Sequence, residues 1–185
     1  MTSLNDIAAN RRAQKWTKSE LFRRVLWGFL SRPLFAWTPR QLWAWRRFIL
    51  RIFGARIGRA VHVYPSAKIT LPWNLSIGDN SAVGDGAILY ALGPITVGES
   101  ATISQNAHLC AGSHDYTDPA MPLIKMHIDI GDDVWICADT FVGPGVTIGD
   151  RAIVAARGVV VSNVPENVIV GGNPALFIKQ RPPFG

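Results

Sequence analysis

From Ile130 onward every sixth residue is aliphatic: Ile130, Ile136, Val142, Ile148, Val154, Val160. The same beat runs through Ile77, Val83, Leu89 and Ile95, then resumes two residues on as Val97, Ile103 and Leu109. Ile57, Val63 and Ile69 begin it, before Pro72-Trp73 disturbs the phase. A period of six fits neither the 3.6 of a helix nor the 2 of a simple strand. It is the pattern of a parallel β-helix, in which short strands turn a corner once per hexad and three hexads close a coil of about 18 residues. Small residues four positions after many anchors, such as Ala67, Ala87, Ala101 and Ala107, pack beside the corners. Gly or Asp directly after the anchor makes the bend. Residues 57–113 supply about three coils and residues 130–165 about two more. Between Leu109 and Ile130 the beat stops, across a polar stretch that contains Ser113-His114-Asp115-Tyr116. The segment 113–129 is too long for a corner and is expected to project as a loop, the usual place for function in a repeat protein.

The first 56 residues follow another rule. From Arg40 to Phe53, Leu42, Trp45, Ile49 and Ile52 recur at three and four, with Phe48 and Phe53 widening the stripe. Arg40, Arg47 and Arg51 fall off it, with Arg46 beside it. Glu20 to Leu30 shows a similar apolar and basic mixture, Pro33 and Pro39 break the segment, and Gly54 ends the second helix. The fold class is therefore all-β: a parallel β-helix over 57–170, an α-helical extension over 1–56, and a short C-terminal helix or tail over 171–185.

Charge sharpens this division. Residues 1–60 hold thirteen basic side chains against Asp6 and Glu20, a balance of +11, so the rest carries −5 of the total +6. Five of the seven tryptophans (Trp16, Trp27, Trp37, Trp43, Trp45) lie in the same segment. A basic, tryptophan-rich helix suits an anionic membrane surface, yet its apolar stripe also suits the open end of a β-helix, whose strand edges need cover. No nucleic-acid motif accompanies the charge, so nucleic acid is not expected as a partner. Cys110 and Cys137 are expected as reduced, buried thiols. With no leader and no long apolar run to span a bilayer, the expected location is the cytoplasm, with peripheral contact at the inner membrane face.

The run IGDDVWICADTFVGPGVTIGDRAIVAARGVVV, followed by NVPENVIVGGNPALFIKQR, resembles the hexapeptide-repeat acyltransferases that use acetyl-CoA. SHDYTDP after ISQNAHLCAG, and LFAWTPRQLWAWRRFILRIFGARIG before the repeats, are similar to the colanic acid biosynthesis acetyltransferase subfamily. The resemblance runs from about Leu34 to Arg181. It implies a left-handed β-helix assembled as a homotrimer, with active sites between subunits, that transfers acetyl from acetyl-CoA to a sugar hydroxyl. It places the catalytic histidine at His114 and a tryptophan near the thioester arm at Trp135. Backbone groups at Ala138 and Ala156 match positions that hold the pantetheine. Where relatives often carry Thr-Lys-Asp this chain has Val161-Ser162-Asn163, which leaves Arg157, Lys179 or Arg181 to meet the nucleotide phosphates. The asparagine that galactoside and maltose acetyltransferases place two hexads before the loop has no counterpart between Gly86 and Tyr90.

The chemistry is consistent with that assignment. Attack of an alcohol on a thioester requires removal of the hydroxyl proton, a task suited to a neutral imidazole, whose ordinary pKa is about 6.5. The thiolate is already a good leaving group, so no metal is expected. Backbone N–H groups are the simplest oxyanion donors. Asp115, or next Asp118, is the candidate to orient His114, and Tyr90 and Tyr116 are candidate acceptor contacts. His108, six residues before His114, also raises a metal-dependent hydratase of the hexapeptide-repeat carbonic anhydrase type, but neither His62 nor His127 completes a recognisable ligand spacing. The repeats alone would also suit a scaffold without enzymatic activity, and an acetyltransferase with this loop could take serine or a xenobiotic alcohol in place of a sugar.

Overall fold

In the computed structural model, which describes residues 3–13 and 15–183, the hexads build a three-sided parallel β-solenoid of about six turns. The first coil holds β1 (Arg56–Ile57), β2 (His62–Val63) and β3 (Lys68–Ile69). The second holds β4 (Leu75–Ile77), β5 (Ala82–Val83) and β6 (Ile88–Tyr90). The third holds β7 (Ile95–Val97), β8 (Thr102–Ile103) and β9 (His108–Cys110). A hairpin of β10 (Gly112–His114) and β11 (Leu123–Lys125) then leaves the solenoid. The repeat resumes with β12 (Ile128–Ile130), β13 (Trp135–Ile136) and β14 (Phe141–Val142), then β15 (Thr147–Ile148), β16 (Ile153–Val154) and β17 (Val159–Val160). Corresponding strands stack into three sheets, of order β1-β4-β7-β12-β15, β2-β5-β8-β13-β16 and β17-β14-β9-β6-β3.

Register follows the anchors. Ile57 pairs with Ile77, Val63 with Val83, Ile69 with Leu89, and Ile136 with both Ile103 and Val154. Val83, Leu89, Ile103, Leu109, Ile136 and Val154 are all 0% exposed, so the sixfold beat is the inward face of the solenoid. At the corner between the first and second sheets a glycine recurs in each coil because the backbones nearly touch. A Cβ on Gly78 would lie 2.6 Å from the Gly98 carbonyl carbon, and one on Gly98 would lie 2.7 Å from that of Gly131. The aspartate after the glycine ties coils together: Arg59 and Glu99 N–H groups each donate 2.7 Å bonds to Asp79 and Asp132 Oδ1.

Among the described residues the extension has three α-helices, α1 (Ser3–Arg12), α2 (Lys18–Ser31) and α3 (Trp43–Ile52), with a π-helical turn over Arg32–Ala36 after α2. Of these, α2 and α3 close the open end of the solenoid with hydrogen-bond donors. Within the ladder, the N–H after each anchor bonds to the anchor carbonyl of the next coil, as Gly58 to Ile77 at 2.8 Å and Tyr64 to Val83 at 2.9 Å. The first coil has no predecessor, so its own anchor carbonyls face outward and need donors. Arg51 donates to Ile57, Arg46 Nε to Val63 at 2.6 Å, and Trp27 Nε1 to Ile69 at 2.7 Å. Arg47 reaches the Val61 carbonyl. Basic side chains of α3 therefore cap the solenoid.

Of the expected stripe within α3 only Ile49 is buried. Arg46, Ile49 and Leu50 are buried, whereas Trp45, Phe48 and Ile52 are exposed. The demand for donors at the open end rotates the helix so that Arg46, 0% exposed, points inward. The C-terminal segment also departs from expectation. Up to Gln180 it is strand rather than helix or tail: β18 (Val168–Gly171) stacks on β16 and β19 (Leu176–Gln180) returns antiparallel beside it. An antiparallel return gives partners to backbone groups at the last edge, which a tail would leave open. The boundary at 170 thus falls inside a strand. Both cysteines are free and half-buried. No helix among the described residues is long and apolar enough to cross a membrane.

Candidate active site

The gap in the hexads is an antiparallel hairpin at the corner between the third and first sheets. Gly112 pairs with Lys125, Ser113 with Ile124 and His114 with Leu123. His114 ends the outgoing strand, exposed, and its Nδ1 lies 2.7 Å from the Met121 carbonyl oxygen. A carbonyl only accepts, so Nδ1 carries the proton and the lone pair of neutral His114 is on Nε2. Met121 adopts φ +47°, a left-handed conformation uncommon outside glycine. Its N–H bonds to the Asp118 carbonyl, closing the turn at the hairpin tip.

The two carboxylates expected to orient the imidazole are engaged with the tip instead. Asp115 Oδ1 accepts from the Thr117 hydroxyl at 2.6 Å and the Thr117 N–H at 2.9 Å, which hold its carboxyl below the usual range. Asp118 Oδ1 accepts from the Ala120 N–H. The histidine takes a backbone partner. Such a partner carries no side-chain signature, which is why the sequence points to Asp115. Tyr116 stands at the same tip, 87% exposed.

A second group gathers on another edge. Trp135 lies on the outer face of the second sheet and donates from Nε1 to Ser104 Oγ at 2.9 Å. Three residues on, Ala138 sits at the corner leading to the third sheet, and Ala156 occupies the same corner one coil later. The Arg157 N–H bonds to the Ala138 carbonyl, and the Arg157 guanidinium lies 3.8 Å from the Asp139 carboxylate. Trp135, Ala138, Ala156 and Arg157 are thus brought together. Lys179 is exposed on β19. Arg181 is directed elsewhere, donating to the carbonyls of Asp133 and Arg151 at the corner between the first and second sheets.

Tyr90 belongs to the third sheet, which separates these two edges. Its ring meets His108 edge-on at 6.4 Å, and Phe141 meets the other side of that imidazole at 5.5 Å. His108 Nε2 is buried without a partner, and burial pulls the imidazole below its ordinary pKa. No group of three or more His, Cys, Asp or Glu suited to a metal occurs among the described residues. A cavity of about 410 Å³ between α2 and the first coil is lined by Trp27, Phe35, Ser66 and Ile69 rather than by any of these side chains. One chain therefore carries the His114 hairpin and the Trp135–Ala138 group on opposite edges of its third sheet.

Comparison with known proteins fits the coils. The family model for bacterial transferase hexapeptide (six repeats) matches residues 127–163. The chain is 47% identical to "Putative colanic acid biosynthesis acetyltransferase WcaF" of Escherichia coli (strain K12) over 156 residues, 84% of this chain and 86% of that one. It is 27% identical to galactoside O-acetyltransferase of the same organism, over 73% of this chain and 68% of that one. Among solved structures, the hexapeptide-repeat acetyltransferase VCA0836 of Vibrio cholerae in complex with acetyl-coenzyme A superposes with a TM-score of 0.82 at 26% identity. That match covers 99% of this chain and all of the other.

Proposed function

Because this chain belongs to the hexapeptide-repeat acetyltransferase family, we propose that it transfers acetyl from acetyl-CoA to a hydroxyl of a sugar or glycan, with His114 as the base. The observation that carries the base assignment is the His114 Nδ1 bond to the Met121 carbonyl, which leaves Nε2 as the proton acceptor. The acceptor oxygen attacks the thioester carbonyl carbon as Nε2 takes its proton. The tetrahedral intermediate collapses, the C–S bond breaks, and the imidazolium returns the proton to the departing thiolate. The products are an acetyl ester and free coenzyme A, with the histidine neutral again.

The separation of the His114 hairpin from the Trp135–Ala138 edge supports a site shared between chains. In a ring of three copies, the hairpin of one chain meets the Trp135–Ala138 edge of the next, and closure gives three equivalent clefts. Trp135 would then wall the thioester arm, with Arg157 and Lys179 as the basic groups for the phosphates and Tyr90 and Tyr116 for the acceptor. An acceptor in exopolysaccharide or lipopolysaccharide assembly fits the likeness to WcaF. His114→Ala should lower acetyl transfer by at least about a hundredfold while acetyl-CoA binding, measured calorimetrically, is retained. Wild-type turnover in that variant would remove His114 from the mechanism. Assaying the wild type on glycans, serine and chloramphenicol-like alcohols identifies the acceptor class.

Peripheral contact with an anionic bilayer belongs to the same reading, through α2. The arginines of α3 that bind the first coil are engaged there, whereas Phe22 (68% exposed), Val25 and Phe29 (77% exposed) form an outward apolar face opposite buried Trp27. Lys18 and Arg32 lie at its two ends, within a segment of strong positive charge that anionic headgroups attract. The protein should sediment with phosphatidylglycerol vesicles at low salt, and Phe22→Ser with Phe29→Ser should abolish this. Indifference of the wild type to such vesicles would exclude the contact.

A further inference from the structure

The N-terminal extension touches the catalytic hairpin as well as the open end of the solenoid. Asn10, in α1, donates from Nδ2 to the Ala120 carbonyl at 2.7 Å and to the Met121 carbonyl at 3.2 Å. The second oxygen is the one that accepts from His114 Nδ1. Both partners are carbonyls, so the amide nitrogen rather than the amide oxygen must face them. A second tie holds the returning strand: the Lys125 ammonium sits 3.8 Å from the centre of the Trp16 ring, with Arg24 at 4.0 Å. Between these ties lies Met121, held at positive φ.

From this arrangement we infer that Asn10 is a positioning residue for acetyl transfer. It fixes the Met121 carbonyl and through it the tautomer and orientation of His114. The carbonyl lies in a turn whose backbone conformation is unfavourable for methionine. Without a donor on its outer side that turn can relax, and the carbonyl then swings away from Nδ1. An imidazole freed from its partner populates the other tautomer, with the proton on Nε2, where it cannot take a proton from the acceptor. Asn10 touches none of the reacting atoms. Its effect should therefore fall on kcat and on the histidine itself, leaving the KM for acetyl-CoA in place. The inference rests on His114 being the base, and the test separates the two.

The experiment compares wild type, Asn10→Ala, Asn10→Asp and Asn10→Gln by steady-state kinetics, and reads the His114 tautomer from imidazole ¹⁵N shifts. Asn10→Ala should lower kcat by about 10- to 100-fold, the scale of a misplaced catalytic group, with acetyl-CoA KM within about twofold. The Nδ1–H signature should weaken in parallel. Asn10→Asp is nearly isosteric but sets a carboxylate against two carbonyls, so it should be at least as damaging. Asn10→Gln keeps the donor and should recover part of the rate and of the tautomer signal. Unchanged kcat and unchanged ¹⁵N shifts in Asn10→Ala would overturn the inference. A fall in kcat with the tautomer intact would also overturn it, by making Asn10 a structural residue only. If His114→Ala turns over normally, the base assignment fails instead, while the ¹⁵N shifts still report whether Asn10 sets the imidazole.

Discussion

Arg46→Met removes the guanidinium of α3 that closes the first coil and keeps most of the side-chain length. Four acceptors lose a donor: the Val63 carbonyl, Thr38 Oγ1 and the carbonyls of Pro39 and Arg40. The Val63 contact is buried, so its orphaned carbonyl costs about 1–3 kcal/mol. The other three are partly exposed and recover water, adding about 1–2 kcal/mol together. Relief of the guanidinium's own desolvation, which lowers its pKa, offsets part of this. The expected net loss is about 3 kcal/mol, or about 6–12 °C in Tm at about 2–4 °C per kcal/mol for a chain of this size. Arg51→Met is the control. Arg51 also donates to coil carbonyls, but it is exposed and water can replace it, so its loss should stay under about 1 kcal/mol. The assay is thermal and denaturant unfolding at one fixed protein concentration, because oligomerisation couples to stability. An Arg46→Met loss below that of Arg51→Met would refute the reasoning and leave apolar packing as the whole function of the cap.

A methyl group on Gly98 would fall 2.3 Å from Asp132 Oδ1 and 2.7 Å from the Gly131 backbone, so Gly98→Ala should destabilise by at least about 1–3 kcal/mol in the same assay. Gly28→Ala meets nothing within 4 Å inside α2 and should stabilise by about 0.5–1 kcal/mol; equal effects at the two sites would contradict the close stacking of coils. His108 is held below its ordinary pKa by burial, so the unfolded chain binds its proton first as pH falls. Stability should therefore drop as pH decreases from about 6.5 and level off below the folded pKa. His108→Leu should flatten that acid slope in denaturation measured between pH 7 and 5 (about the physiological titration window), and an unchanged slope would show that another group causes it.

The coils are legible in the sequence because each anchor performs the same task at a fixed interval, and Ile136 or Val154 needs no partner beyond the anchor above and below. The hairpin is legible as the place where that task stops. What the sequence hides depends on backbone atoms. The imidazole of His114 is oriented by the carbonyl of Met121, which any residue could supply, so the neighbouring carboxylates are the visible candidates. Periodicity sets Arg46 beside the apolar stripe of α3, since it ranks an arginine as solvent-facing. Only the outward carbonyls of the first coil, a consequence of the ladder's polarity, explain why it turns inward. The C-terminal strand is hidden for the same reason: Leu176 to Gln180 carries no hexad, and its pairing to β18 is decided by the last open edge.

The contacts of the extension with the first coil and with the hairpin change how its role is to be tested. Charge and tryptophan content alone suggest an appendage that could be removed to measure membrane binding by itself. Trp27 and the arginines of α3 instead satisfy carbonyls of the first coil, and Asn10 with Trp16 holds the hairpin that bears His114. Deleting residues 1–40 would therefore remove a cap donor and both hairpin ties together with the exposed face of α2. Loss of vesicle binding in such a variant could reflect a disturbed fold, and loss of activity could reflect a displaced base. Point substitutions at Phe22 and Phe29 alter only outward side chains, so they separate the surface from the structure it covers. If those substitutions release the protein from vesicles while kcat on a soluble acceptor stays at the wild-type value, membrane contact and catalysis are independent tasks of one extension. If kcat falls as well, α2 carries strain to the hairpin through the Trp16 ring, which Arg24 of α2 and Lys125 of the hairpin share.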